Sequence, residues 1–265
     1  MYPHHIESIE KMKQYFEKDP EVLGLILGGS VAQGRERPDS DLDGMVIVSP
    51  ETYQRICREN RQAECIFGES TYEAGYFDVK YMTMDYLRAA AERGSDPTRN
   101  SFRKSRVLFS RIDGLEDVVA RISLYPVEKK QERIDLFYSI LNMEGHYFFD
   151  CATKEGDKYL LDKAVVNIIY GGFRALLAMN EQFFPCHRNM LSYVENLEDK
   201  PENIMALMDA LLKDKSYANR DAFMDAIIAH LGDWIEPENR TKYQAIYVTK
   251  LEQTWQFSDD NVFEL

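Results

Sequence analysis

The sequence predicts an α/β domain followed by an all-α helical bundle domain, divided near residue 125 into segments 1–125 and 126–265. Three observations carry this. Through the first segment, short apolar runs bounded by turn residues alternate with helically spaced stretches. Beyond Pro126 the strand signals thin out, and apolar residues recur at intervals of three and four. Pro185, Pro201 and Pro237 fall between helical stretches or at their starts, where proline is tolerated.

The elements follow in order. Ile6, Ile9, Met12, Tyr15 and Phe16 form a stripe that predicts a helix over 5–19. VLGLILGG (22–29) and LDGMVIVS (42–49) read as buried strands, and Pro50 opens a helix that reaches Arg61. AECIFGES and AGYFDVKYMT supply two more strands, followed by a helix near 84–93. Gly94, Asp96 and Pro97 mark a loop before a last strand over 105–111 and the helix GLEDVVARISL. In the second segment, helical spacing covers 128–153, 158–181, 188–198, 201–213, 219–234 and 239–256.

Composition narrows the function. A net charge of −13 argues against a nucleic-acid footprint, which needs clustered Lys and Arg to displace counterions from phosphates. The acidic excess is larger in the helical segment, which suits either a cationic small molecule or ordinary solvated helix faces. The apolar runs fall short of the roughly 20 residues that span a bilayer, and the first residues are polar and acidic, unlike a signal peptide. The expectation is a cytoplasmic protein with no membrane partner. Cys57, Cys65, Cys151 and Cys186 form no CxxC pair and are read as reduced thiols, not a zinc site.

The informative stretch is LILGGSVAQGRERPDSDLDGMVIV (25–48). A strand delivers Gly28, Gly29 and Ser30 into a tight turn that opens a helix, where backbone N–H groups and a hydroxyl suit a phosphate. After a polar loop the chain enters a second strand, and alternation puts Asp41 and Asp43 on one face with Leu42 on the other. Carboxylates about 7 Å apart along a strand repel unless a cation lies between them, and oxygen donors favour Mg²⁺ or Mn²⁺. An isolated pair of this kind is ordinarily two solvated aspartates. Asp78, between Phe77 and Val79 in a predicted strand, is a third carboxylate. Its burial would be offset by a metal, or it pairs with Lys80 or Arg106 on an exposed face.

Gly29-Ser30, Gly34-Arg35 and Ser40-Asp41-Leu42-Asp43, with Asp78 on a later strand, resemble the signature of the nucleotidyltransferase superfamily. That superfamily includes DNA polymerase β and the aminoglycoside and lincosamide nucleotidyltransferases. The likeness covers roughly the first 110 residues, and RALLAMNEQFFP (174–185) is similar to the helical domain of the antibiotic-modifying members. The resemblance implies a mixed sheet and two Mg²⁺ ions, with Mn²⁺ an alternative. One ion would be held by Asp41, Asp43 and Asp78 to activate an acceptor hydroxyl, the other by Asp41, Asp43 and triphosphate oxygens. Gly29 and Ser30 would hold the β- and γ-phosphates, with Arg35 assisting or simply solvated. Ser40 would brace the strand entrance or orient Asp41.

The helical domain is then expected to bind the acceptor. Lys163 either reaches the triphosphate or sits solvated at a helix edge. Glu144, among apolar neighbours, is the candidate general base, with Asp150 the alternative. The aromatic run Tyr147, Phe148 and Phe149 either floors a ligand or belongs to the core. The expected activity moves a nucleoside monophosphate, AMP from ATP above all, onto a hydroxyl of a small molecule such as an aminoglycoside or lincosamide. A protein-modifying nucleotidyltransferase and a non-catalytic nucleotide-binding regulator are the alternatives.

Overall fold

The computed structural model describes residues 1–254, and the chain divides into two compact units, Met1–Leu124 and one that begins at Tyr125. The first is a mixed α/β unit and the second is all helical.

The first unit runs α1 (Pro3–Glu17), β1 (Val22–Leu27), α2 (Gly29–Gln33), β2 (Leu42–Val48), α3 (Pro50–Arg58) and β3 (Ala63–Phe67). It continues through β4 (Tyr76–Met82), α4 (Met84–Arg93), α5 (Asp96–Ser101), β5 (Arg106–Ser110) and α6 (Leu115–Ile122). The strands form one sheet in the order β3-β4-β2-β1-β5, with β2 and β4 parallel and the other neighbours antiparallel. Side-chain alternation splits the apolar residues between two faces. Leu25, Leu27 and Val46 pack with Ile9, Met12 and Phe16 of α1. Ile26, Met45 and Ile47 pack on the opposite face with Leu87 of α4 and Leu115 and Ile122 of α6. Ser49 and Thr83 cap α3 and α4, accepting from the N–H groups of Thr52 and Tyr86.

The segment around Gly94, Asp96 and Pro97, expected as a loop, contains the short helix α5. Pro97 lies in its first turn, where a missing N–H costs nothing. Its Arg99 is buried and donates to the carbonyls of Ala91 (2.9 Å), Gly94 (3.1 Å), Leu124 (3.2 Å) and Ile122 (3.3 Å). One guanidinium thereby satisfies carbonyls at the C-terminal ends of α4 and α6.

The helical unit comprises α7 (Lys130–Met143), α8 (Phe149–Glu155), α9 (Lys158–Met179), α10 (His187–Glu195), α11 (Ile204–Lys213), α12 (Tyr217–Leu231) and α13 (Arg240–Tyr247). The stretch 128–153, expected as one helix, is interrupted by a π-helical turn over Glu144–Phe148 between α7 and α8. The last expected helix, 239–256, ends in a π-helical turn over Val248–Glu252, and its residues beyond 254 lie outside the described ones. Gly171 lets α9 lie against α7: a Cβ there would fall 2.7 Å from the Leu141 nitrogen and 2.9 Å from the Phe137 oxygen. Phe137, Leu141, Ile168, Phe173, Phe223 and Tyr243 are among the residues that fill the core. Among the described residues no helix is long and apolar enough to cross a membrane.

Candidate active site

The residues of the first unit singled out in sequence gather at one end of the sheet, where β1 runs into α2 and the 34–41 loop enters β2. The Gly28 N–H donates to the Asp43 carbonyl at 2.9 Å, tying the glycine turn to the start of β2. Gly29 follows in the left-handed region at φ +65°, and a Cβ there would overlap the Asp43 carboxylate. Glycine is therefore required twice, for its backbone conformation and for the room it leaves beside the Asp43 side chain. Ser30, half-buried, stands in the first turn of α2, where N–H groups have no acceptor within the helix.

Asp43 and Asp78 are direct partners in the parallel pairing of β2 with β4. Adjacent strands lie about 4.8 Å apart, so the two carboxylates stand side by side on one face. By alternation this is the face of Met45, Ile47 and Met82. Asp78 is not buried, because its flanking Phe77 and Val79 point to the opposite, covered face. Its side chain is 29% exposed and its Oδ2 receives a hydrogen bond from Lys80 Nζ at 3.0 Å. A burial cost offset by a metal is thus not what explains Asp78, and its ion pair is the one expected for an exposed strand position. Asp41 lies one residue before β2. The nearby Asp41 carboxylate leads the influences that push the Tyr76 phenol up to about 12.

The loop residues have separate tasks. The Ser40 hydroxyl is buried and accepts from the Arg37 N–H at 2.9 Å, bracing the turn before Asp41. Arg35 donates to Gln33 Oε1, and the Gln33 amide donates to the Asn100 carbonyl at 3.0 Å, linking α2 to α5. Tyr72 donates to the Ser40 carbonyl. Neither tyrosine belongs to the glycine–aspartate motif. Tyr76 is two residues from Asp78 on the same strand, so alternation places them together. Tyr72 lies in a loop and carries no such signal.

Glu144 and Lys163 belong to the helical unit, where they meet one another at 3.7 Å. Glu144 is fully buried, and its Oε1 accepts from Asn167 Nδ2 (2.9 Å) and the Tyr247 hydroxyl (3.1 Å). Burial pushes its carboxyl up from the usual value, opposed by Asn167, Lys163 and Tyr247. Asp150 pairs with Arg220 at 2.8 Å. Of the aromatic run, Phe149 is core while Tyr147 is exposed.

The donor set fits a hard divalent cation in kind, since Asp41, Asp43 and Asp78 offer only carboxylate oxygens. The room at Gly29 leaves the Asp43 carboxylate beside the glycine turn. Among the described residues, however, no three metal-binding side chains converge on one point, and Asp78 is turned onto Lys80. A cavity of about 320 Å³ lies elsewhere, at the opposite ends of the strands, lined by Leu23, Val48, Thr83, Arg88 and Ile112 among others.

Comparison with known proteins bears on the first unit. The chain is similar to a nucleotidyltransferase-like protein from Exiguobacterium sibiricum at 9% identity and a TM-score of 0.48, over 93% of this chain and 79% of that one. It is similar to a spectinomycin adenyltransferase from Enterococcus faecialis, solved with ATP and spectinomycin, at 16% identity and a TM-score of 0.30, over 91% of this chain and 96% of that one. No curated protein matches the sequence. The family model for the nucleotidyltransferase domain matches residues 9–113, which include the latter part of α1, the glycine turn, Asp41, Asp43 and Asp78. Over that stretch the chain is similar to nucleotidyltransferase domains.

Proposed function

We propose that the protein transfers a nucleoside monophosphate, AMP from ATP, to a hydroxyl of a small molecule, with a divalent cation as cofactor. The observation that carries this is the register of Asp43 with Asp78 beside a glycine that could not bear a side chain. Asp41 and Asp43 would hold Mg²⁺ or Mn²⁺, joined by Asp78 once it is released from Lys80. Bound there, the cation supplies charge neutralisation for the triphosphate and acidifies the acceptor hydroxyl.

The chain's own groups do the rest. The Ser30 hydroxyl and the first N–H groups of α2 donate to phosphate oxygens of the nucleotide. Gly29 keeps the backbone close to them. Ser40 and its hydrogen bond to Arg37 hold the loop that carries Asp41. Arg35, tethered to Gln33, lies one turn beyond Ser30 and adds positive charge near the phosphates. Within the helical unit, Lys163 lies 3.7 Å from the buried Glu144, whose raised carboxyl suits a proton acceptor.

Charge points to the acceptor class. An overall charge of −13 and an acidic site favour an amine-bearing acceptor over an anionic one. Aminoglycosides and lincosamides, which carry amines and hydroxyls, are the first to test. Purified protein with Mg²⁺, ATP and a panel of these compounds should release pyrophosphate with at least one of them. Absence of acceptor-dependent release across the panel, with labelling of a co-purified protein instead, would move the substrate from small molecule to protein.

A further inference from the structure

The sheet of the first unit ends in two edge strands, β3 and β5, each five residues long. An edge strand carries a row of backbone N–H and C=O groups without a ladder partner, and soluble proteins guard such rows with bulges, charges or proline. The β5 edge is guarded: its pairing with β1 shifts register between Leu25 and Ile26, and it opens on the exposed Arg106. The β3 edge, AECIF, is regular. It pairs with β4 without a register shift, and its one charged side chain, Glu64, is held by Arg61 at 2.6 Å. Ala63, Cys65 and Phe67 are exposed along one face, and Phe67 is 72% exposed although its ring lies 5.1 Å from that of Tyr76.

The ladder decides which backbone groups face outward. The Tyr81 N–H donates to the Gln62 carbonyl at 2.9 Å, and the register continues through Glu64 opposite Val79 and Ile66 opposite Phe77. Hydrogen-bonded and non-hydrogen-bonded pairs alternate along an antiparallel ladder. Gln62, Glu64 and Ile66 therefore bond toward β4, and Ala63, Cys65 and Phe67 direct their N–H and C=O groups away from the sheet. A second copy of β3, related by a twofold axis through Cys65, meets these groups in full. Ala63 then faces Phe67 of the second copy, and Cys65 faces its own equivalent. A shift of one residue would set outward groups against inward ones. A shift of two leaves one outward residue of each strand without a partner in β3, and in one direction it sets Glu64 against Glu64, a like-charge pair. The matched register instead places Glu64 opposite Ile66 and bulky Phe67 opposite small Ala63. Continued past the strand ends, it brings Arg61 toward the exposed Glu69 of the second copy.

We propose that β3 is a self-association edge, through which two copies of this chain pair antiparallel over Ala63–Phe67 and continue the sheet from one copy into the other. The partner is a second copy because the edge complements itself in donors and acceptors, in side-chain bulk and in charge. The contact is short, so the dimer is weak and forms in the micromolar range. It stands apart from the nucleotidyl-transfer reading and from the aspartates that support it.

Sedimentation velocity of the full-length parent, from about 1 to about 200 µM, follows the association expected of a small interface. Treatment with diamide tests the register: two thiols form one disulfide, and diamide takes up the two electrons and two protons released. Opposed Cα atoms in a hydrogen-bonded antiparallel pair lie about 5.5 Å apart, within disulfide reach. The parent and Cys65→Ser are expected to dimerise with rising concentration, and the disulfide-linked dimer to form in the parent alone. Phe67→Lys charges the edge, and Cys65→Pro removes an N–H that β4 does not use, hence two intermolecular bonds by symmetry. Each should weaken association by about ten-fold or more while unfolding at the parental temperature. If one of them unfolds earlier, the other carries the comparison. A parent that stays monomeric throughout overturns the proposal. A dimer of parental affinity in folded Phe67→Lys or Cys65→Pro puts the interface on another surface and also overturns it. So does a dimer whose Cys65 thiols do not join, because the register is then wrong.

Discussion

Gly29 concentrates the demands of the site in a residue without a side chain. Its left-handed backbone alone would cost an alanine about 1–2 kcal/mol, and the added Cβ would displace the Asp43 carboxylate. Gly29→Ala is therefore expected to lower stability by that amount in denaturant titration. It should also reduce nucleotide transfer by about 100-fold, the order expected when a reacting group is moved by an ångström. Glu144 makes a different statement at the same scale. Burial raises its carboxyl above the ordinary 4.5, so the folded chain holds this proton more tightly than the unfolded one. The associated stability is full below 4.5 and is lost as pH rises through the folded value. Relative to Glu144→Gln, the parent should lose stability as pH climbs from about 4.5, at up to ~1.4 kcal/mol per pH unit. Urea titrations of both proteins across that range check it, and parallel curves would mean that the burial cost is already met by Asn167, Lys163 and Tyr247.

At the scale of elements, the sheet does most of the positioning. The β1 and β2 strands were legible because residues 25–27 and 45–48 are continuous apolar runs close to turn residues. The place of Asp78 opposite Asp43 was not legible, because strand order is set by non-local pairing that no local pattern records. Alternation alone did not give the exposure of Asp78, which reads as costly among Phe77 and Val79 until the covered face is known. The helix α5 was hidden by Gly94 and Pro97, whose usual meaning as punctuation is overridden where proline opens a helix. That helix has a measurable task. Arg99→Leu would strand the carbonyls of Ala91, Gly94, Ile122 and Leu124 at helix ends. The expected cost is about 1–3 kcal/mol, read from the urea midpoint. An unchanged midpoint would mean that water reaches those carbonyls.

Across the whole molecule, a mixed α/β unit similar to nucleotidyltransferase domains and a helical unit are joined in one acidic chain. Legibility differs between the two halves for a physical reason. The chemistry proposed for the first unit rests on residue types at short, fixed spacings, from Gly29 to Asp43, so a single stretch of sequence suggests it. The helical unit's side chains are spaced for packing, and Glu144, Asn167, Lys163 and Tyr247 meet only through the fold. The acidic charge carries its own expectation: the protein should not retain duplex DNA at physiological salt in a gel-shift measurement, and salt-sensitive retention would point to a basic surface that composition conceals. The most direct test of the account is release of pyrophosphate from ATP in the presence of Mg²⁺ and an accepting aminoglycoside or lincosamide, measured for the parent and for Asp43→Asn. The account predicts Mg²⁺-dependent release by the parent and its loss by at least 100-fold in the variant, with the fold retained. Equal release by the two proteins would contradict it.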